Sequence, residues 1–362
     1  MDRRLRVLMA GPDPHANGGI ATVARNYLQS DLVQRCDLRY ITTMVEGSKP
    51  RKLGVAACAF AAYARELPRA DLVHLHLSKG ASFTRKRMLA CLAYRQGVPY
   101  VIHLHSGEFV NRYQAASHRV QHQVAELFEK ASAVIALSEE WRSALTSEVC
   151  SSAPIVVVRN AVSLPPEPTY PVNHTVLYLG RLDRNKSPDV LLRAVARLCP
   201  YMPDIKVVFA GDGEVDYYQR LAYTLGISDH CSFLGWVSDE KERLLSEASV
   251  FCLPSRAEGM PMSLLEAMSY GIVAIATPVG GVPSVVHDGK NGLLVPVGDD
   301  VALSSALANV LGHQEFRQTL GERARATIAE KFSLQAHVEE LVDLYSTVAL
   351  SRGIGTVGQD AQ

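Results

Sequence analysis

The chain has 362 residues with 37 basic and 37 acidic side chains, so no overall field draws it to nucleic acid and any anion must be met by local groups. With 48% apolar and 20% charged residues it is neither disordered nor fibrous, and its length favours two compact halves that each bury a core. Seven widely spread cysteines, an odd number without a C-x-x-C pair, fit a reducing compartment and small core residues better than disulfides or metal ligands.

The chain opens with Arg3-Arg4 before an apolar run to Ala10 that is too short for a secretory segment and is stopped by Gly11-Pro12; it reads as a first buried strand. Further short β-rich runs follow at Leu38 to Thr42, Leu72 to Leu77, Tyr100 to Leu104, Ala133 to Leu137 and Ile155 to Val158. They are continuous rather than alternating, as strands covered on both faces should be, and helical patterns separate them. The most apolar later stretch, the Ala-rich Val55 to Ala64, spans about ten residues against the roughly 20 that cross a bilayer, so membrane contact is expected to be peripheral at most. Between Pro165 and Pro171 four of seven residues are proline, which suits a linker between domains 1–164 and 172–334. The pattern restarts with Thr175 to Leu179, Lys206 to Ala210, Ser232 to Leu234, Val250 to Leu253 and Val273 to Ala276, then reads as helix only from about residue 299 to a polar tail at Gly353 to Gln362. Alternating strands and helices predict an α/β chain with two doubly wound parallel sheets.

In open parallel sheets, ligands bind beyond the carboxyl ends of the strands. The unusual residues gather there. After the first strand, Gly18-Gly19 opens a helix and lets backbone N–H groups approach a phosphate; a plain strand-to-helix turn is the competing reading. His105 stands at the exit of the fourth strand on the same face as His103, either as a ligand-facing group or as a structural histidine. His74 and His76 are read as structural.

Ser187-Pro188 suits a helix N-cap and first turn, which sets Lys186 beside a positive helix end, close to Arg181. Such crowding of like charge makes sense if both clamp a diphosphate; solvated loop charges partnered by Asp183 are the alternative. The segment from Glu258 through Gly259, Met260, Pro261, Ser263 and Leu264 to Glu266 joins a strand to a helix. Were both glutamates helical, eight residues at roughly 100° each would leave them about 80° apart; Glu258 precedes the helix and is therefore able to turn towards a ligand. Carboxylates suit hydroxyl-rich ligands, and the amides around Met262 to Leu264 suit an anion.

This constellation resembles the family-4 retaining glycosyltransferases of GT-B fold, especially bacterial members that build exopolysaccharide or capsule. The resemblance runs from Gly18-Gly19 to about Phe332. It rests on the E-x7-E motif Glu258 to Glu266, on Leu-Gly-Arg-Leu with Lys186, on Ala210 to Glu214, on Gly280-Gly281-Val282-Pro283 and on Asp288 to Gly292. It implies two Rossmann-like domains facing across a deep cleft, with a C-terminal helix at about 335–350 packing back on the first. It implies further that Glu258 binds donor-sugar hydroxyls and Glu266 the ribose, that Arg181 and Lys186 hold the diphosphate opposite Gly18 and Gly19, and that Gly211 and Val237 flank the base. His105, with His103 as second candidate, corresponds to the histidine beside the transferred sugar. The reaction implied is retaining transfer from a UDP- or GDP-sugar to a glycan or polyprenyl-diphosphate-linked acceptor, with no cofactor and, in the absence of D-x-D, no metal. A cytoplasmic location follows from it. Arg85-Lys86-Arg87 either attracts anionic lipid, at about 1 kcal/mol per basic residue, or forms a solvated helix face. The rival functions are a non-catalytic nucleotide-sugar-binding partner of another transferase and a GT-B sugar-nucleotide epimerase.

Overall fold

A computed structural model describes residues 3–354 apart from Lys79, Glu108 and Thr169. The chain forms two compact units, one running to Asn160 and resuming at Leu334, the other spanning Ala161–Ser333. Of the polar tail at Gly353 to Gln362, residues 355–362 lie outside the described residues, and the last helix, Leu334–Ile354, reaches into its start.

The first unit is a six-stranded sheet of β1 (Arg6–Pro12), β2 (Asp37–Met44), β3 (Leu72–Leu77), β4 (Tyr100–Leu104), β5 (Ala133–Ala136) and β6 (Ile155–Val157), in the order β2-β1-β3-β4-β5-β6. Every pairing is parallel. The continuous apolar runs are explained by position: β3, β4 and β5 are buried along their whole length, whereas the edge strand β2 is half-buried. Leu334–Ile354 belongs to this unit, where His337 and Tyr345 hydrogen-bond to Tyr27 and His74.

The second unit has β7 (Thr175–Leu179), β8 (Lys206–Ala210), β9 (Cys231–Gly235), β10 (Val250–Leu253), β11 (Val273–Ala276) and β12 (Leu293–Leu294), again all parallel, in the order β12-β11-β10-β7-β8-β9. Sequence reading omits β12, since two residues carry no periodicity. The proline-rich stretch is not a loose tether: Pro165 O and Pro171 O accept from Arg325 Nη2 (2.7 Å) and Ser249 Oγ (3.1 Å) of this unit. The chain passes from one unit to the other at Asn160/Ala161 and Ser333/Leu334. Because all strands of a sheet run the same way, the loops after β7, β8, β9, β10 and β11 leave from one edge, which is where the unusual residues of the second unit stand.

Candidate functional site

The loops at that edge are locked together by glycines. A Cβ on Gly211 would lie 1.8 Å from Gly180 O, and one on Gly213, whose φ is +115°, 2.4 Å from Leu182 O. Leu182 N–H donates to Asp212 O at 2.7 Å, so the loops after β7 and β8 are stitched backbone to backbone. Arg181 stands between them, 3.8 Å from Asp183 and 3.7 Å from Asp212, with its side chain 62% exposed. The next turn departs from the expected cap. Ser187 occupies the N-cap of helix Pro188–Leu198 in a left-handed conformation (φ 52°), and its hydroxyl donates to Arg184 O instead of capping. Asp183 closes the turn, its Oδ1 accepting from the amides of Asn185 (3.0 Å) and Lys186 (2.9 Å).

That turn aims Lys186 at Glu258. Lys186 Nζ lies 2.6 Å from Glu258 Oε1, which also accepts from Ser255 Oγ at 2.6 Å, and the carboxylate side chain is only 7% exposed. A carboxylate so buried needs such partners, because desolvating a charge costs several kcal/mol. The backbone holds the same arrangement: Asn185 Nδ2 donates to Ala257 O (3.0 Å) and Arg256 N–H to Asn185 O (2.7 Å). From the other side, Gly281 N–H donates to Gly259 O at 2.6 Å, and a Cβ on Gly280 would lie 1.9 Å from Glu258 O. The Gly-Gly after β11 therefore exists to let the Glu258 loop approach.

Glu266 lies on helix Met262–Ser269, four residues in, and pairs with Lys241 Nζ at 2.6 Å. Lys241, Ser255 and Asn185 are site residues that sequence reading misses; each is an ordinary polar residue whose partner is 3 to 72 positions away. Two expectations need correction. Leu264 and Met260 are buried apolar side chains that pack inside the unit, leaving only their backbone for a ligand, and the Leu264 amide already donates to Pro261 O at 3.2 Å. Ser263 and Val237 are half-buried, the latter two residues beyond β9.

In the first unit Gly18, with φ +119°, is the N-cap of helix Gly19–Gln29, and a Cβ there would meet nothing within 4 Å. Glycine is needed for the backbone angle, and the open side leaves the first turn of that helix accessible. His105 follows β4, its amide donating to Leu77 O and its Nε2 2.9 Å from His76 Nδ1. Of the two histidines weighed, His103 is fully buried and His105 half-buried at the strand exit.

Behind His105 lies a feature the sequence does not announce. His74, His76, His103 and His337 are all buried with Tyr27 and Tyr345, and the His103 and His105 rings stack at 4.1 Å. Burial lowers the basicity of every one, His74 and His105 to about 3 and His337 to about 4, with His76 and His103 well below the usual range. These imidazoles are neutral at pH 7. Among the described residues, His74, His76 and His103 form the one group with metal-ligand chemistry, their candidate atoms lying within 4.8 Å of one another. Of these atoms His74 Nε2 and His103 Nδ1 lie 3.3 Å apart, while His74 Nδ1 and His76 Nδ1 are engaged by Tyr345 and His105.

The basic run Arg85-Lys86-Arg87 is not a solvated face. Lys86 is 2% exposed and donates to Thr43 Oγ1, while Arg85 and Arg87 are half-buried. Burial, helped by Arg85, lowers the Lys86 amine to about 7. A membrane cannot reach Lys86, because helix Ala81–Arg95 turns it inward against β2, and the expected lipid contact through this triplet is set aside. Among the described residues no helix is long and apolar enough to cross a membrane.

Two doubly wound parallel units, one with glutamates and cations at its carboxyl edge, define the GT-B architecture. Solved structures share it: sucrose-phosphate synthase of Thermosynechococcus elongatus (TM-score 0.79, 21% identity, 96% of this chain and 100% of that one) and Anabaena HepE in complex with UDP-glucose (0.76, 19%, 95% and 100%). The model of glycosyl transferases group 1 matches residues 166–327, and that of the glycosyl transferase 4-like domain residues 3–161. The phosphatidyl-myo-inositol mannosyltransferase of Mycobacterium leprae is 31% identical over 60% of this chain and 59% of its own length. An undecaprenol-diphosphate-linked glycan α-1,4-N-acetyl-D-galactosaminyltransferase of Campylobacter jejuni is 35% identical over 48% of each. The chain spans about half the length of the curated relatives it matches. It belongs to the family-4 glycosyltransferases of GT-B fold.

Proposed function

We propose that the protein transfers a sugar from a nucleotide diphosphate sugar, UDP- or GDP-linked, to a glycan or polyprenyl-diphosphate-linked acceptor of a bacterial surface polysaccharide, with retention and without a metal. The observation that carries this reading is the buried Glu258 carboxylate, held by Lys186 and Ser255 on a loop that the close approach of Gly280 and Gly281 fixes in place. Its second oxygen is available to sugar hydroxyls. Lys186 spends one of three N–H donors on Glu258 and keeps two for a diphosphate; Arg181, exposed beside it in sequence, brings a planar fork suited to phosphate. Glu266 with Lys241 supplies a second carboxylate for the ribose.

In the step proposed, the acceptor oxygen bonds to the anomeric carbon on the face that the phosphate leaves, and its proton passes to the departing phosphate oxygen. Arg181 and Lys186 stabilise charge that grows as the sugar–phosphate bond breaks, which lowers the barrier because the cations are already in place. His105, neutral and held by His76, contributes a hydrogen bond to the sugar rather than a charge. The names of the relatives, which act on lipid-linked and polysaccharide acceptors, support the acceptor class, and the neighbour bound to UDP-glucose supports the donor class.

Thermal stabilisation by a panel of nucleotide sugars tests it, since binding to the folded state raises the melting temperature by mass action. One diphosphate sugar should stabilise the protein in the presence of chelator, and the Arg181→Ala, Lys186→Ala double variant should lose the response. A response abolished by chelator would overturn the metal-free mechanism. Donor turnover that yields a new nucleotide sugar without acceptor would instead favour an epimerase, and no hydrolysis or transfer at all a binding partner.

A further inference from the structure

His76 is buried on β3, and its two ring nitrogens differ in their surroundings. Nδ1 lies 2.9 Å from Nε2 of His105, whereas Nε2 is sealed from solvent and has no hydrogen-bond partner among the described residues. Turning the ring over would set a carbon against His105 and lose the bond. The ring is held on both sides: it packs on Gly11, where a Cβ would lie 3.1 Å from His76 Cδ2, and it stacks on His103 with ring centres 5.4 Å apart. The same groups clamp His105, which stacks on His103 at 4.1 Å.

Burial keeps both imidazoles neutral, so each carries one N–H and one lone pair. Two arrangements fit a single hydrogen between the facing nitrogens. In the first, His105 Nε2–H donates to His76 Nδ1, and the hydrogen of His76 is left on its sealed Nε2. In the second, His76 Nδ1–H donates to His105 Nε2, and what is sealed is a lone pair. An N–H orphaned in the interior is rarer than an under-satisfied acceptor. Charge decides in the same direction. The ring edge that carries Cδ2 and Nε2 faces Gly11, whose carbonyl is joined through Thr43 Oγ1 to the Lys86 amine, and that amine acts on His76 through its charge. A positive group on that side stabilises a lone pair and repels an N–H. The second arrangement therefore holds, and it has a consequence on the far side of His105. With Nε2 accepting, the one hydrogen of that half-buried ring sits on Nδ1, which is not sealed and has no partner among the described residues.

We propose that His76 is a positioning residue that makes His105 a fixed hydrogen-bond donor, through Nδ1, to an oxygen of the nucleotide sugar. This rests on the reading above that His105 meets the donor, and it adds the donating atom and the residue that sets it. An imidazole free in water divides its hydrogen between two nitrogens and is competent only part of the time; a ring held by His76 is ready before the sugar arrives.

NMR of the full chain with isotope-labelled histidine nitrogens at pH 7 tests it, the His105 signals being assigned by their loss in His105→Gln. Expected is a hydrogen on His105 Nδ1 and none on Nε2; the reverse overturns the proposal. In His76→Leu the hydrogen should redistribute between the two nitrogens, and kcat/KM for transfer should fall by up to about tenfold, the size of one neutral hydrogen bond. Adding His105→Ala to that variant should cost no more than His105→Ala alone, because His76 acts through His105. Losses that simply add would mean that His76 only supports the fold, and would overturn the positioning role. The measurement on the parent decides where the hydrogen sits even if the His76 variant does not fold. A parent that carries the hydrogen on Nδ1 but neither binds nor turns over any nucleotide sugar would overturn the function proposed above and with it the ligand named here, while the assignment of the hydrogen stands.

Discussion

At the scale of single residues the site is governed by what cannot be added as much as by what is present. Gly280 is the clearest case, because it combines a left-handed backbone (φ +55°) with a Cβ position 1.9 Å from Glu258 O. The side chain of alanine fits neither the angle nor the space, and the Glu258 loop must move. Gly280→Ala is expected to lower stability by roughly 1–3 kcal/mol and to weaken donor-induced thermal stabilisation, as the carboxylate leaves Lys186 and Ser255. Gly312→Ala is the control, since a Cβ there meets nothing within 4 Å at the end of a helix; it should be neutral or slightly stabilising in the same melting experiment. Glu258, Glu266, Arg181 and Lys186 were legible as a set because their spacing is local to strand-to-helix loops. The Lys186–Glu258 contact was not, for it joins residues 72 positions apart that meet only when β7 and β10 pair.

At the scale of elements, helix Ala81–Arg95 illustrates how a charge run misleads. Three adjacent basic residues look like a solvated face, yet successive residues on a helix point in directions about 100° apart, and one of the three is carried inward to Thr43. The consequence is measurable. The Lys86 amine titrates at about 7 in the folded protein and near 10.4 in an unfolded chain, so between these values the unfolded state binds the extra proton and raising the pH favours the fold. Conversely, the stability is lost as pH falls towards 7. Buried Cys36 and Cys252 and half-buried Cys199 and Cys231, their thiols raised by desolvation, pull the other way above about 8.5, so the informative quantity is a difference. The melting temperature of the parent relative to Lys86→Met should rise from pH 7 to pH 9.5; a flat difference would mean that the amine is not buried as described. Helix Lys49–Glu66 is the converse case, an apolar run that sequence reading finds too short to span a bilayer and that the fold leaves half outside.

At the scale of the whole molecule, the neutral histidines make acid the weak point of the first unit. His74, His105 and His337 have folded values near 3 to 4, and His76 and His103 lie well below the usual range, all beneath the unfolded value of about 6.5. The stability they represent is fully present above that value and is lost as pH falls from 6.5 through 4, each adding up to about 1.4 kcal/mol per pH unit of slope. The first unit should therefore open first on acidification. The chain has one tryptophan in each unit, Trp141 and Trp236, so fluorescence of the Trp236→Phe and Trp141→Phe variants reports the units separately. Expected is an earlier acid transition in the Trp141 signal; coincident transitions would contradict it.

The sequence by itself determined the two parallel sheets, strand by strand except for the two residues of β12, because buried parallel strands leave continuous apolar runs between helical periods. It also marked the glycine and glutamate loops, whose backbone demands are local. Only the tertiary structure decided which charges meet, that Lys86 points inward, that five imidazoles share one interior, and that the apolar stripe of Lys49–Glu66 faces out. Those outcomes depend on which helix face turns towards which sheet, and that is set by packing between segments far apart in the chain.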